Sequence, residues 1–432
     1  MKFFWGTATS AYQIEGSTTA DGRVPSIWDT FCRQPGTILN SSSGDTADDH
    51  YNRWQTDIAL MKELGVNAYR FSIAWPRAIS GKQGLAFYEK LVDTLLEAEI
   101  EPFVTLYHWD LPQFLQDQGG WVNRATCKAF AQYVQTAYEV LGDRIKYWIT
   151  LNEPYIASIY GHLVGSHAPG IKNFKTAMAA AHHQLLAHGY AVKVLRQSKH
   201  KIGISLNLAP IIPENTESEE AAQYFDLIHD KFYLEALYKG NYPKEILKQM
   251  PWLNDLILPG DMQIISTPTD FLGINYYSPI EAETDPDNPF FGVKLSSGKK
   301  NPYSQLFDVN PQKMGELLES VWKTYHPPEI FITENGTCVE DTIGSDGKIH
   351  DFYRQEYLRM HIEEVLRAKH AGVPLSGYFV WSLLDNFEWT FGYQRRFGLV
   401  YVDFDTQKRT IKESGFWYKT FIQNQKSQDN QK

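Results

Sequence analysis

Residues 147–154 read Y-W-I-T-L-N-E-P, a run of aromatic and β-branched residues that breaks off at an asparagine, a glutamate and a proline. The run is too short for a buried helix. It is also too continuously apolar for a strand with one wet face, so it reads as a strand covered on both sides. Residues 330–336, I-F-I-T-E-N-G, have the same form and also stop at a glutamate. Six further runs share the pattern, at 4–7, 68–73, 103–108, 202–207, 271–275 and 377–382. Between them lie stretches with helical spacing at 49–64, 85–98, 124–141, 176–197, 218–238, 311–322 and 351–371, and 414–423 would close the set. Gly65, Gly142 and Gly372 follow helix ends, where a left-handed residue is wanted. Eight strands alternating with helices imply parallel pairing and right-handed crossovers. The eight-fold count predicts one (β/α)8 TIM barrel, an α/β fold with its active site at the C-terminal ends of the strands. The barrel is expected over 1–422, with a polar, disordered tail at 423–432. The irregular stretches 211–217 and 279–310 are expected as loops on the functional face. Neither a G-x-G-x-x-G turn nor a P-loop occurs.

Composition narrows the function. The 432 residues carry 41 Lys+Arg against 51 Asp+Glu, a net charge of −10, which disfavours nucleic-acid or anionic-membrane partners. Cys32, Cys127 and Cys338 are odd in number, far apart and without a C-x-x-C pair, so neither a disulfide framework nor a cysteine zinc site is expected. The N-terminus has no apolar stretch of signal-peptide length, and no run reaches the roughly 18 apolar residues of a membrane span. A cytoplasmic location is the expectation. Aromatics make up 14% of the chain, which a large core explains and a cleft for sugar rings would also use.

In a barrel the reacting groups come from strand C-termini. There the sequence offers Gln13 beyond the first strand, Arg70 in the second, His108 ending the third, and Asn152 and Glu153 ending the fourth. Asn207 ends the fifth, Asn275 with Tyr276 and Tyr277 the sixth, Glu334 and Asn335 the seventh, and Trp381 and Ser382 the eighth. A lone carboxylate at the end of a buried strand is costly without partners. Glu153 and Glu334, on strands four and seven, would face each other across the mouth. Two opposed carboxyls fit glycosidic-bond cleavage, one protonated and one ionised, their environments splitting the roles. Arg70 could keep one of them charged. His182, His183 and His188 read as polar helix surface and not as a metal helix, because no H-E-x-x-H arrangement accompanies them. Arg395 and Arg396 read as a solvated loop.

Seven blocks in order, T-A-T-S-A-Y-Q-I-E-G, Y-R-F-S-I-A-W-P-R, T-L-Y-H-W-D-L-P, T-L-N-E-P, F-L-G-I-N-Y-Y, I-T-E-N-G and W-S-L-L-D-N-F-E-W, resemble glycoside hydrolase family 1, the β-glucosidase family. The resemblance runs from Phe4 to about Tyr418. It implies a retaining double displacement without metal or cofactor, acting on a small β-glycoside or short oligosaccharide. It makes Glu153 the general acid/base and Glu334 the nucleophile. It makes Gln13, His108, Asn152 and Glu388 hydrogen-bonding partners of the sugar, with Trp381 and Trp389 as floor and wall. Tyr277 and Arg70 would orient and charge the nucleophile, and Asn275 matches the polar residue of strand six. Glu388 stands where members acting on 6-phosphorylated sugars resemble another pattern, so non-phosphorylated glucosides are expected, with galactosides or fucosides alongside. A 6-phospho-β-glycosidase and an inactive sugar-binding barrel are the alternatives. Two departures from the family pattern, a short loop at 78–84 and the loss of a D-x-G-W-like block at 304–311, lie where the leaving group would bind.

Overall fold

The computed structural model describes residues 3–197, 199–288, 292–296 and 301–429. Strands β1 (Phe4–Ala8), β2 (Ala68–Ser72), β3 (Glu101–Thr105), β4 (Tyr147–Asn152), β5 (Lys201–Asn207), β6 (Phe271–Asn275), β7 (Ile330–Asn335) and β8 (Leu375–Trp381) pair in parallel in chain order, and β8 closes on β1. This is the expected TIM barrel. Its third strand stops at Thr105, short of the expected 108. The chain turns away there through Trp109, whose φ of 75° no strand allows, and His108 hangs above the strand end.

Phenylalanines plug the interior. The Phe103 ring lies 4.8 Å from Phe379 and 5.2 Å from Phe331, and Phe271 lies 5.1 Å from Phe331. Glycines on neighbouring strands make the space. A Cβ on Gly203 would stand 2.4 Å from the Phe271 ring, and one on Gly6 2.6 Å from that of Phe379. With the barrel filled from below, a ligand can approach only from the C-terminal ends of the strands.

Helices form the outer layer. Lys82–Glu97, for example, buries Leu85, Tyr88, Leu91, Val92 and Leu95 at three- and four-residue spacing against the sheet. Gly65 and Gly372 do adopt the left-handed conformation, with φ of 73° and 101°. Gly142 does not: it stays helical, and a Cβ there would meet the Tyr138 carbonyl oxygen at 2.5 Å, so close packing and not chain reversal explains the glycine.

Several expectations are corrected. The stretches 211–217 and 279–310 contain a small sheet in which Ile211–Pro213 runs parallel to Ile280–Thr284, itself antiparallel to Val293–Ser296. Ile211–Pro213 is short and pairs across some seventy positions of sequence, Ile211 opposite Ile280, so no local pattern announces it. Residues 289–291 and 297–300 of the second stretch lie outside the described residues. The helix expected at 218–238 is interrupted by one wide π-type turn, Leu227–Lys231. The closing helix, Glu413–Asp429, carries on through the part of the tail expected to be disordered. No Pro or Gly interrupts 423–429, Ile422 is buried just before them, and Lys426 Nζ donates to the Gly65 carbonyl at 3.2 Å. Residues 430–432 are outside the described residues. His182, His183 and His188 are buried and not on the surface: His182 bonds Tyr242 and Asp261, His183 the Trp121 carbonyl and His188 Thr150. No helix among the described residues is long and apolar enough to cross a membrane.

Candidate active site

Strand ends β2, β4, β6 and β7 deliver their side chains into one bonded array. Arg70, buried inside the barrel, donates from Nη1 to Glu334 Oε1 (2.5 Å) and the Thr333 carbonyl (3.1 Å), from Nη2 to Asn152 Oδ1 (2.6 Å) and from Nε to Thr105 Oγ1 (3.1 Å). Asn275 Nδ2 donates to Glu153 Oε1 at 2.8 Å and to Asn152 Oδ1 at 3.0 Å, while Asn275 Oδ1 accepts from Thr333. Tyr277 donates its hydroxyl to Glu334 Oε2 at 2.7 Å. Asn152 Nδ2 bonds His108 Nε2 at 3.1 Å.

The backbone aims the groups. Glu153 has φ of 46°, a left-handed geometry that costs a residue with a Cβ about 1–2 kcal/mol. Its amide donates to the Ser205 carbonyl at 2.8 Å, which fixes the turn out of β4. Trp109 and Trp389, on the same cavity, also have positive φ, and such strain concentrates at functional sites.

Environment separates the carboxyls. Burial, reinforced by the charge of Glu334, pushes the Glu153 carboxyl up to about 8. Burial raises Glu334 as well, but the Arg70 guanidinium and the hydrogen bond from Tyr277 oppose the rise, so Glu334 is the more easily ionised of the two. Glu388 is pushed up to about 8, by burial first and then by Glu334, and hydrogen bonds from Trp381 and Gln13 oppose the rise. Its Oε2 is buried without a partner among the described residues. Burial and the nearby Arg70 charge hold His108 well below the ordinary histidine range, so its imidazole is neutral.

These groups open on a cavity of about 320 Å³. His108, Glu153, Asn275, Tyr277, Glu334, Trp381, Glu388 and Trp389, all anticipated from sequence, line it. Arg70, Asn152 and Gln13 stand behind its surface. Gln13 donates to the Phe387 carbonyl (2.9 Å) and Asn386 Oδ1 (3.1 Å) and accepts from Ser10 (2.5 Å), so it fastens the loop that carries Glu388. Among the described residues no group of three His, Cys, Asp or Glu could hold a metal ion.

The profile described as Glycosyl hydrolase family 1 matches residues 1–427. The chain belongs to this family. It is 46% identical to the 1,4-beta-D-glucan glucohydrolase of Thermotoga neapolitana, over 98% of this chain and 97% of that protein. It is 45% identical to Beta-glucosidase A of Thermotoga maritima, over 99% and 98%. A solved family 1 β-glucosidase from Thermotoga maritima superposes with a TM-score of 0.93 at 45% identity, covering 98% of this chain and 97% of that one. As a family 1 glycoside hydrolase the chain is a retaining enzyme.

Sequence reasoning passed over much of this family 1 cavity. Trp109, Tyr155, Tyr160, His167, His229 and Phe307 all line it, from loops and not from strand ends. Tyr160 lies on a π-type helix, Ile156–Val164, and His229 on the wide turn at Leu227–Lys231. Wide turns gather at functional sites, yet no residue pattern marks them. Arg396 is not solvated: it pairs with Asp385 at 2.8 Å and stacks over Tyr401 and Phe404, while Arg395 donates to Gln305.

Proposed function

We propose that the chain hydrolyses non-phosphorylated β-D-glucosides, with β-galactosides or β-fucosides as accompanying substrates, through a glucosyl-enzyme on Glu334. The observation that carries this reading is the split pair: two buried carboxyls, Glu153 bonded by the neutral Asn275 amide and Glu334 neutralised by Arg70. Glu334 attacks the anomeric carbon as the bond to the leaving oxygen breaks, and Glu153, protonated, supplies the proton that oxygen needs. Glu153 is then a carboxylate. It takes a proton from a water whose oxygen attacks the same carbon, the ester to Glu334 breaks, and the sugar leaves in the β configuration with both glutamates restored. Arg70 and Tyr277 hold Glu334 ionised and in place. His108, Asn152 and Glu388 serve the sugar hydroxyls, with Gln13 supporting Glu388, and Trp381 and Trp389 cover the apolar face of the ring.

Among the described residues no lysine or arginine lines the cavity, which speaks against a phosphorylated glycone. The test compares an aryl β-glucoside with its 6-phosphate. The parent is expected to be turned over at least tenfold more efficiently, and activity on the phosphorylated compound alone would refute the reading. An inactive sugar-binding barrel would turn over neither.

A further inference from the structure

The helix Phe352–His370 carries polar residues on its buried face. Arg354, Tyr357 and His361 recur at three- and four-residue spacing among Leu358, Ile362 and Val365, and all six are buried. A polar group turned to the core is costly unless it finds a partner, and each of the three finds one. Arg354 pairs with Asp341 at 3.0 Å and donates to the Arg396 carbonyl at 2.8 Å, which ties the loops after β7 and β8 together. His361 Nδ1 donates back to the Tyr357 carbonyl at 2.8 Å, and its ring stacks on that of Tyr357 at 3.9 Å.

Tyr357, held by that stack, turns its hydroxyl to the strand ends. The hydroxyl donates to the Tyr277 carbonyl at 3.0 Å and accepts from Asn335 Nδ2, also at 3.0 Å. The same amide nitrogen donates to the Tyr276 carbonyl at 2.7 Å, and Asn335 Oδ1 accepts from the Tyr378 hydroxyl at 2.6 Å. Asn335 follows Glu334 on β7, so the two side chains leave opposite faces of the strand. Tyr277 lies two residues past the end of β6, where the ladder gives out, although the Tyr276 amide still donates to the Glu334 carbonyl at 3.0 Å. A continuous set of bonds on the outer face of the barrel therefore clasps the backbone of Tyr276 and Tyr277 to that of Glu334 and Asn335. On the inner face the Tyr277 hydroxyl meets Glu334 Oε2 at 2.7 Å.

Resting on the reading of Glu334 as nucleophile, we infer that Tyr357 is a positioning residue: from outside the barrel it fixes the Tyr277 backbone, and through Tyr277 it holds the nucleophile. A displacement of 1 Å set off far from the chemistry can cost about 100-fold in rate. The experiment is a double-mutant cycle on kcat/KM for an aryl β-glucoside, with pH profiles. Tyr357→Phe deletes one oxygen and keeps the ring stacked on His361. It is expected to lower kcat/KM about three- to tenfold. Burial raises the Glu334 carboxyl and the Tyr277 hydrogen bond opposes the rise, so slackening that bond should move the acidic limb of the profile to higher pH. In a Tyr277→Phe background the same substitution should cost less than about twofold and leave the limb in place, because the hydroxyl it acts through is gone. An equal loss in both backgrounds, which general loosening of the fold would give, overturns the inference. So does an unchanged rate or an unmoved limb when Tyr357→Phe is made alone. If Tyr277→Phe alone costs nothing, the nucleophile reading falls with it.

Discussion

Replacing Glu334 by glutamine removes the charge of one of two neighbouring buried carboxyls and leaves the other to report the loss. In the wild-type site Glu153 is pushed up to about 8, by burial first and by the charge of Glu334 second. In a retaining site the two carboxyls stand about 5.5 Å apart, and at an effective dielectric near 20 two unit charges at that distance repel by about 3 kcal/mol. That is about two pKa units. The Arg70 charge, no longer cancelled, acts in the same direction, since it already lowers Glu153. In Glu334→Gln the carboxyl of Glu153 is therefore expected to titrate about two units lower, near 6. The burial contribution stays, which keeps it above an ordinary glutamate. The assay is a ¹³C NMR titration of enzyme labelled at the glutamate carboxyl carbon, with Glu153→Gln used to assign the resonance. A Glu153 midpoint that moves by less than half a unit would show that the two groups are not electrostatic neighbours and would refute the reasoning.

Other consequences are equally direct. Glu153 must be protonated to act, and its protonated fraction falls as pH rises through about 8, so kcat/KM for an alkyl glucoside should fall about tenfold between pH 7 and pH 9. In Glu153→Gln that alkaline limb should vanish from the profile, with kcat for the same substrate down by about 10²–10⁴; persistence of the limb would assign it to another group. Tyr277→Phe deletes the hydroxyl that donates to Glu334 Oε2, a bond to a buried charge worth about 1.5–3 kcal/mol, so kcat/KM should drop about 10- to 100-fold with little change in thermal midpoint. Lys412 is fully buried and paired with both Asp341 and Asp385. Among the described residues Lys412→Met leaves Asp341 only Arg354 and Asp385 only Arg396 as charged partners and should lower the unfolding free energy in urea by about 3 kcal/mol, and a loss under about 1 kcal/mol would mean that the two arginines suffice.

The barrel was legible because a strand buried on both faces must be apolar throughout and must stop where the chain meets water. Y-W-I-T-L-N-E-P and I-F-I-T-E-N-G both show that boundary, and each delivers one carboxyl of the buried pair at it. The chemistry-bearing half of the cavity followed, since His108, Asn275 and Trp381 come from, or just after, such strand ends. Its other half did not. Ile156, Leu208 and Leu306 are ordinary apolar residues until the loops fold over the mouth, and the small sheet that carries Ile280 gains its third strand only through distant pairing with Ile211. Burial also reversed the reading of His182, whose polar neighbours, Tyr242 and Asp261, arrive from distant sequence. The tail misled for the opposite reason. Its polar composition looks like coil, yet the helix is seeded by the buried Tyr418 and Ile422 and simply continues.

The central claim is the division of labour between the two glutamates, and covalent trapping tests it most directly. A 2-deoxy-2-fluoro-β-glucoside with a good leaving group should inactivate the enzyme with one equivalent of label, and peptide mapping should place the fluoroglucosyl ester on Glu334. Label on Glu153, or steady turnover with no ester formed, would contradict the account.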